Sequence, residues 1–240
     1  PKELLEKTER LLIENGWMCT NFDPYDQRYY RSWMHELPPL QHMKRGTTLD
    51  VHHAIIPPTA RIKSDISKFW ECTHKVAKHK LLYIPEDKDL ILHSAVHLFC
   101  DGELENGLRD LSDLDFLLRD CSVSDEFWTE LLARAVELNL QRPLFYALRY
   151  CHALLNTPVP VQVLTRTAQG SPGKWAETWM DFLFCRALAP DHVSCNDRWT
   201  GLARWMLFVR SHWLKMPPLQ LTQHLARKGY KRWMKHKASV

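Results

Sequence analysis

Several signatures that identify an enzyme at sight are missing from this 240-residue chain. There is no Gly-x-Ser-x-Gly nucleophile elbow and no Cys in a recognisable local signature, which sets aside the common nucleophilic hydrolases. No Gly-rich phosphate loop and no dinucleotide fingerprint occurs. His93 is followed by Ser94 rather than Glu, so the zinc-protease helix is excluded. No adjacent His-Asp pair marks a metal phosphohydrolase of that type. No apolar run approaches the roughly 18 residues needed to span a bilayer, and no secretory signal pattern opens the chain. No repeat of fixed period is visible. The seven Cys (Cys19, Cys72, Cys100, Cys121, Cys151, Cys185, Cys195) are odd in number and never spaced as C-x-x-C. That fits reduced, mostly buried thiols in a cytoplasmic protein rather than a disulfide framework or a zinc ribbon.

What is present is ordinary in bulk. Hydrophobic content of 45% and charged content of 25% are those of a soluble globular protein long enough to bury a real core. A formal charge of +4 is mild and does not by itself call for nucleic acid. Ten Trp, most of them in the last third, predict bulky helix packing there. The chain opens at Pro1, without Met and directly before a helical pattern, so it reads as a piece of a longer protein.

Leu4, Leu5, Thr8, Leu11 and Leu12 share one helical face, and Asn15-Gly16 closes that helix as a C-cap. Trp17 to Phe22 reads as a short strand, Asn21 to Asp26 as a turn, and Tyr29 to Leu37 as the next strand, stopped by Pro38-Pro39. Gly46 to Ile55 is a further strand, ended by Pro57-Pro58. One helix followed by short linked strands describes a small α+β unit with a mixed or antiparallel sheet. After Ile62 helices dominate, apart from a short extended piece at Leu81 to Ile84. They are expected from Pro85 or Asp89 to Cys100, Leu104 to Arg119, Ser124 to Leu138, Pro143 to Leu155, Trp175 to Leu188, Arg198 to Leu214 and Leu219 to Met234. Thr157 to Gly173, with Pro158, Pro160, Gly170 and Pro172, reads as a connector.

The Gly46 to Ile55 strand organises the functional reading. Its alternation sends Leu49, Val51 and His53 one way and Asp50, His52 and Ala54 the other. A carboxylate at mid-strand is either solvated on an open face or held there for chemistry, because an unpaired buried charge is costly. His52 is in phase with Asp50 and could bond it or touch a substrate phosphate; a structural role is the alternative. His53 faces the other way, toward the core. Asp89, His93 and His97 stand four apart on one helical stripe. A polar stripe lining a cleft is the leading reading there, with interhelical hydrogen bonds or a metal site as alternatives. Arg109 and Asp113, also four apart, are expected to form an ion pair. The tail from Arg227 to Lys237 holds six Lys/Arg with Tyr230 and Trp233 among them. It suits single-stranded nucleic acid or anionic lipid, or simply a solvated C-terminal helix.

Taken in order, the helix ending at Gly16, the Tyr-Tyr-Arg segment at 29–31, Leu49-Asp50-Val51-His52-His53, then Asp89, His93, His97, Leu108-Arg109 and Asp113 resemble the uncharacterised nucleotidyltransferase family of bacteria. The likeness covers about residues 1 to 155. It implies an incomplete nucleotidyltransferase-like sheet over residues 1–60 and a helical domain over 61–240. By resemblance Asp50 is the third carboxylate of a Mg²⁺ centre, both catalytic and metal-ligating. His52, His93, His97 and Arg109 become candidate substrate-binding residues. The implied reaction moves a nucleotidyl group from a nucleoside triphosphate such as ATP to a hydroxyl of a small-molecule, sugar or peptide acceptor. In the superfold a Gly-Ser turn binds the triphosphate and an Asp-x-Asp strand supplies two further carboxylates, since Mg²⁺ takes oxygen ligands in near-octahedral geometry. Both elements precede the first helix in the family and are absent ahead of it here. Position 53 is His where the family has Trp. The chain as it stands is therefore expected to bind Mg-nucleotide poorly. Two alternatives stay open: a non-catalytic helical interaction module, and nucleic-acid binding through the basic C-terminal helix.

Overall fold

The computed structural model describes residues 4–79, 81–102, 104–122 and 124–238, the side chains of 224, 225, 228, 231, 232 and 235–238 excepted. The chain divides into two compact units, one made of residues 1–63 with 215–240 and the other of 64–214. The return of the last helix to the first unit has no signal in the sequence. The architecture is α+β, with small antiparallel sheets and a predominance of helix.

In the first unit, helix α1 (Leu5–Glu14) ends at Asn15, and Gly16 takes φ +86°, a conformation suited to glycine. Strand β1 (Trp17–Cys19) follows. The segment expected as a strand from Tyr29 is instead helix α2 (Pro24–Trp33). Its start was written in Asp23-Pro24: the Asp23 carboxylate accepts from the backbone N–H of Tyr25 (2.8 Å) and Asp26 (3.2 Å), and Pro24 occupies the first turn, where no N–H is needed. The aromatic-rich stretch after it suggested a strand, but the cap and an Arg31–Glu9 ion pair back to α1 favour helix. Strands β2 (Leu40–His42) and β3 (Thr48–Leu49) complete an antiparallel sheet of order β1-β2-β3, with Trp17 opposite His42 and Leu40 opposite Leu49. Helix α11 (Pro218–Ala238) belongs to this unit; Arg227 bonds the Asp23 carboxylate at 3.2 Å and lies 4.3 Å over the Tyr25 ring.

The second unit opens with helix α3 (Ile66–Glu71), then a hairpin of β4 (Thr73–Lys75) and β5 (Tyr83–Pro85). The extended piece expected at Leu81 to Ile84 thus has a partner strand that sequence reading missed. Helices α4 (Asp87–Cys100), α5 (Gly107–Cys121), α6 (Asp125–Glu137) and α7 (Gln141–Leu155) follow within three residues of expectation. Ser124 caps α6 by accepting from Phe127 N–H, and Asn156 ends α7 in the left-handed conformation. The expected connector after it holds helix α8 (Val161–Thr167) and a 3₁₀ turn at Ala168–Gly170. Pro158 and Pro160 stand before its first turn, where a missing N–H costs nothing, so they do not break it. Helices α9 (Lys174–Ala187) and α10 (Thr200–Lys215) complete the order, the final residue of α10 grouping with the first unit.

The core of this unit is Leu, Phe and Tyr. Leu111, Leu114, Leu118 and Leu131 are fully buried. Phe99, Tyr146, Tyr150 and Phe184 form an aromatic cluster, their ring centroids 5.2–6.1 Å apart, a spacing at which offset and edge-to-face arrangements add to burial. Arg210 lies over Tyr146 and Phe184 and donates to the Phe99 carbonyl at 2.8 Å. The tryptophans do not supply this core. Trp128 is buried, but Trp175, Trp179, Trp199, Trp205 and Trp213 are all exposed, Trp175 by 93%, which corrects the expectation of Trp-based packing. None of the seven Cys is in a disulfide; Cys100 and Cys151 are buried, Cys19, Cys72 and Cys121 partly so, and Cys185 and Cys195 exposed. No described helix is long and apolar enough to cross a membrane.

Candidate active site

The extended segment from Thr48 onward does more than pair with β2. Beyond Leu49 it runs antiparallel to His35–Leu37: Leu37 N–H donates to the Val51 carbonyl at 2.9 Å, His53 N–H to the His35 carbonyl at 2.8 Å, and Glu36 stands opposite His52. The alternation read from sequence holds from Leu49 to His53, and Ala54 beyond it is half-buried rather than open. Leu49 and Val51 are half-buried and His53 is buried, while Asp50 is exposed. Burial on one face fixes the register, since a slip of one residue would turn every side chain over.

Asp50 therefore projects from the open face one residue past β3. Two positions on, His52 Nε2 lies 3.4 Å from Glu36 Oε2, and the His35 and His52 rings are 5.1 Å apart. One donor atom each from His35, Glu36 and His52 falls within 4.8 Å of the others. His35 and Glu36 were missed in the sequence because that segment was read only as strand; the usable signal was a His-Glu pair just ahead of Pro38-Pro39.

His93, His97 and Arg109 lie in the second unit. The His93 and His97 rings stack with centroids 6.5 Å apart, and His97 reaches Asp101 at 3.9 Å. Asp89 does not share their stripe as an open polar group. It is fully buried and bonded by Arg134, with Nε to Oδ1 at 2.8 Å and Nη2 to Oδ2 at 2.9 Å. Arg134 also donates to the Lys68 carbonyl and to Glu137, both at 2.8 Å. The Asp89 hydrogen bonds, then those to Glu137, push the guanidinium up from its ordinary value. Arg109 is largely exposed and pairs with Asp110 at 3.1 Å, not with the exposed Asp113 as expected. On the same helix it is Asp115 that is tied in, by Arg119 at 2.8 Å and by the Thr157 hydroxyl at 2.6 Å. Burial opposes its charge, yet those two donors hold its carboxyl below the ordinary range.

A cavity of about 170 Å³ among α6, α7 and α8 is lined by Leu132, Val136, Leu144, Arg166 and Gly170, and a shallower one by Arg119, Ser124, Trp128 and Pro158. Neither is lined by Asp50, His52, His93, His97 or Arg109. The literal Asp-x-Asp pairs, Asp87/Asp89 and Asp113/Asp115, sit on α4 and α5, where residues two apart do not share a face. They are not the paired strand carboxylates of a nucleotidyltransferase.

Residues 1–156 match the model of the uncharacterised nucleotidyltransferase family, and the chain belongs to that family. No curated protein and no solved structure matches it.

The donor set does not fit the magnesium centre that the superfold implies. Mg²⁺ is held through carboxylate and phosphate oxygens. Among the described residues Asp50 is not part of any group of three such donors, and the group that does form contributes two imidazoles and one carboxylate.

Proposed function

We propose that this chain takes part in transfer of a nucleotidyl group from a nucleoside triphosphate to a hydroxyl of a small-molecule, sugar or peptide acceptor. In that reaction the acceptor oxygen bonds to the α-phosphorus, the bond from it to the oxygen bridging to the β-phosphate breaks, and pyrophosphate leaves. Asp50 is the carboxylate this chain contributes, with His52 beside it as a contact for substrate phosphate. The observations that support the reading are the family match across residues 1–156 and the exposure of Asp50 on the extended segment that continues β3. The 240 residues do not carry the other two carboxylates at the family's position, so on their own they bind nucleotide weakly. Asp50→Asn in the full-length gene product should abolish turnover of radiolabelled nucleotide while leaving the melting curve in place; retained turnover would remove Asp50 from the mechanism. Calorimetry showing tight, Mg-dependent ATP binding to this chain alone would refute the claim of weak binding.

The competing reading, a helical module that keeps the fold without the chemistry, draws on Asp50 belonging to no group of three possible metal donors among the described residues. It is favoured if the natural protein shows no turnover of radiolabelled nucleotide. The nucleic-acid reading rests on the C-terminal basic residues. Lys228, Lys231, Arg232, Lys235 and Lys237 lie outside the described side chains, and Arg227 is engaged with Asp23 and Tyr25.

A further inference from the structure

We propose that His35, Glu36 and His52 form a binding site for a borderline divalent cation of the Zn²⁺ type. Two adjacent residues of one extended segment face one residue of its antiparallel neighbour, and the Glu36–His52 pairing holds the two segments in register. Three donor atoms, one from each residue, lie within 4.8 Å of one another. His52 Nε2 and Glu36 Oε2 are already 3.4 Å apart. Two donors about 2.1 Å from a tetrahedral ion stand roughly that far apart, so this edge of the site is at its bound spacing. The His35 donor atom lies within 4.8 Å of both. His35 is buried and anchors the inner edge, while His52, with 33% of its side chain exposed, leaves a route for the ion and for a water in the fourth position. Two imidazoles and one carboxylate select zinc or cobalt over magnesium, which prefers oxygen donors. The site shares His52 with the nucleotidyl-transfer reading but does not rest on it: Asp50 is not one of the three ligands, and its test reads metal binding without nucleotide.

The test uses the whole chain after EDTA treatment, titrated with Co²⁺ and then competed with Zn²⁺. One metal per chain is expected, with visible Co²⁺ bands of four-coordinate nitrogen and oxygen ligation and no thiolate charge-transfer band. Millimolar Mg²⁺ should not displace it. His52→Ala and Glu36→Gln should each weaken binding by more than the roughly 10–100-fold that loss of an outer-shell partner costs. The double variant Cys185→Ser/Cys195→Ser, which removes the exposed thiols, should bind as before. Zn²⁺ should raise the melting temperature of the unsubstituted chain and not that of His52→Ala. Both substitutions fall on partly exposed side chains, and melts in EDTA establish that each variant folds. If His52→Ala does not fold, Glu36→Gln, which retains an acceptor for His52, decides the matter. A thiolate band, binding in Glu36→Gln within a few-fold of the original, or no binding at micromolar metal would each overturn the proposal.

Discussion

Substituting Arg134→Ala removes both hydrogen bonds that hold the Asp89 carboxylate at 2.8 and 2.9 Å, and Asp89 has no measurable exposure. Removing one member of a buried pair costs about 3–5 kcal/mol, because the partner is left as an uncompensated charge. Arg134→Ala belongs at the upper end. It leaves a carboxylate sealed from water, and it also drops the hydrogen bonds to the Lys68 carbonyl and to Glu137. The reverse substitution is milder. Asp89→Ala leaves the guanidinium with both of those acceptors, so its cost is near that of a charged hydrogen bond, about 2–3 kcal/mol. The expected order is therefore Arg134→Ala worse than Asp89→Ala, with the double variant better than the sum by roughly 1–3 kcal/mol. In a unit of this size each kcal/mol moves the midpoint by about 2–4 °C, so Arg134→Ala should lose roughly 6–20 °C. Urea unfolding followed by far-ultraviolet circular dichroism gives all three numbers. A loss below about 1 kcal/mol in Arg134→Ala, or an inverted order of the two single variants, would refute the assignment of this pair as the polar anchor of α4 to α6.

The pairing of Asp181 with Arg149 (Nη2 to Oδ2, 2.6 Å), and secondarily with the Tyr150 hydroxyl, holds the Asp181 carboxyl below its ordinary value of 3.8. Its stabilising effect is then complete above that value and is lost as pH falls through the lowered folded value; Asp181→Asn should flatten the acid limb of stability there and cost about 0.5–1 kcal/mol at neutral pH, since the pair is partly solvated. Cys151 is buried and its thiol is pushed up to about 12, chiefly by burial, so mass spectrometry after brief iodoacetamide treatment should find it unlabelled in the folded chain while exposed Cys195 is labelled. Labelling of Cys151 at the rate of Cys195 would contradict the burial.

The parts of this protein legible in its sequence are those governed by local rules. The phase of Leu49, Asp50, Val51, His52 and His53 follows from a two-residue period and survives in the structure, as do the Ser124 cap and the Gly16 stop. Helix α2 was lost because Tyr29, Tyr30 and Trp33 suggest strand by composition, and the Asp23-Pro24 signal was spent on a turn; cap chemistry outranked aromatic content. The Asp89–Arg134 pair was beyond reach, since its members are 45 positions apart and no periodicity links them. The exposed tryptophans failed for a different reason. A bulky apolar residue inside a helix is consistent with either face, and only the positions of the neighbouring leucines decide which face is covered.

The division of labour along residues 48–53 ties the candidate chemistry to the core. Val51 and His53 make the backbone bonds and fill the inner face, and Asp50 and His52 are left outside because those neighbours are fixed within. The side chains available for reaction are thus positioned by others that take no part in it. Glu36 reaches His52 only because Leu37 and His35 on either side of it are bonded to Val51 and His53. A change that loosens this pairing should therefore degrade Asp50 and the His35–Glu36–His52 group together, whereas removal of either Asp50 or His52 alone leaves the backbone ladder that positions the other. Loss of one function without the other on changing Asp50 or Glu36 points to a side chain, whereas loss of both on changing an inner-face residue such as Val51 points to the strand; His52 is common to both sites.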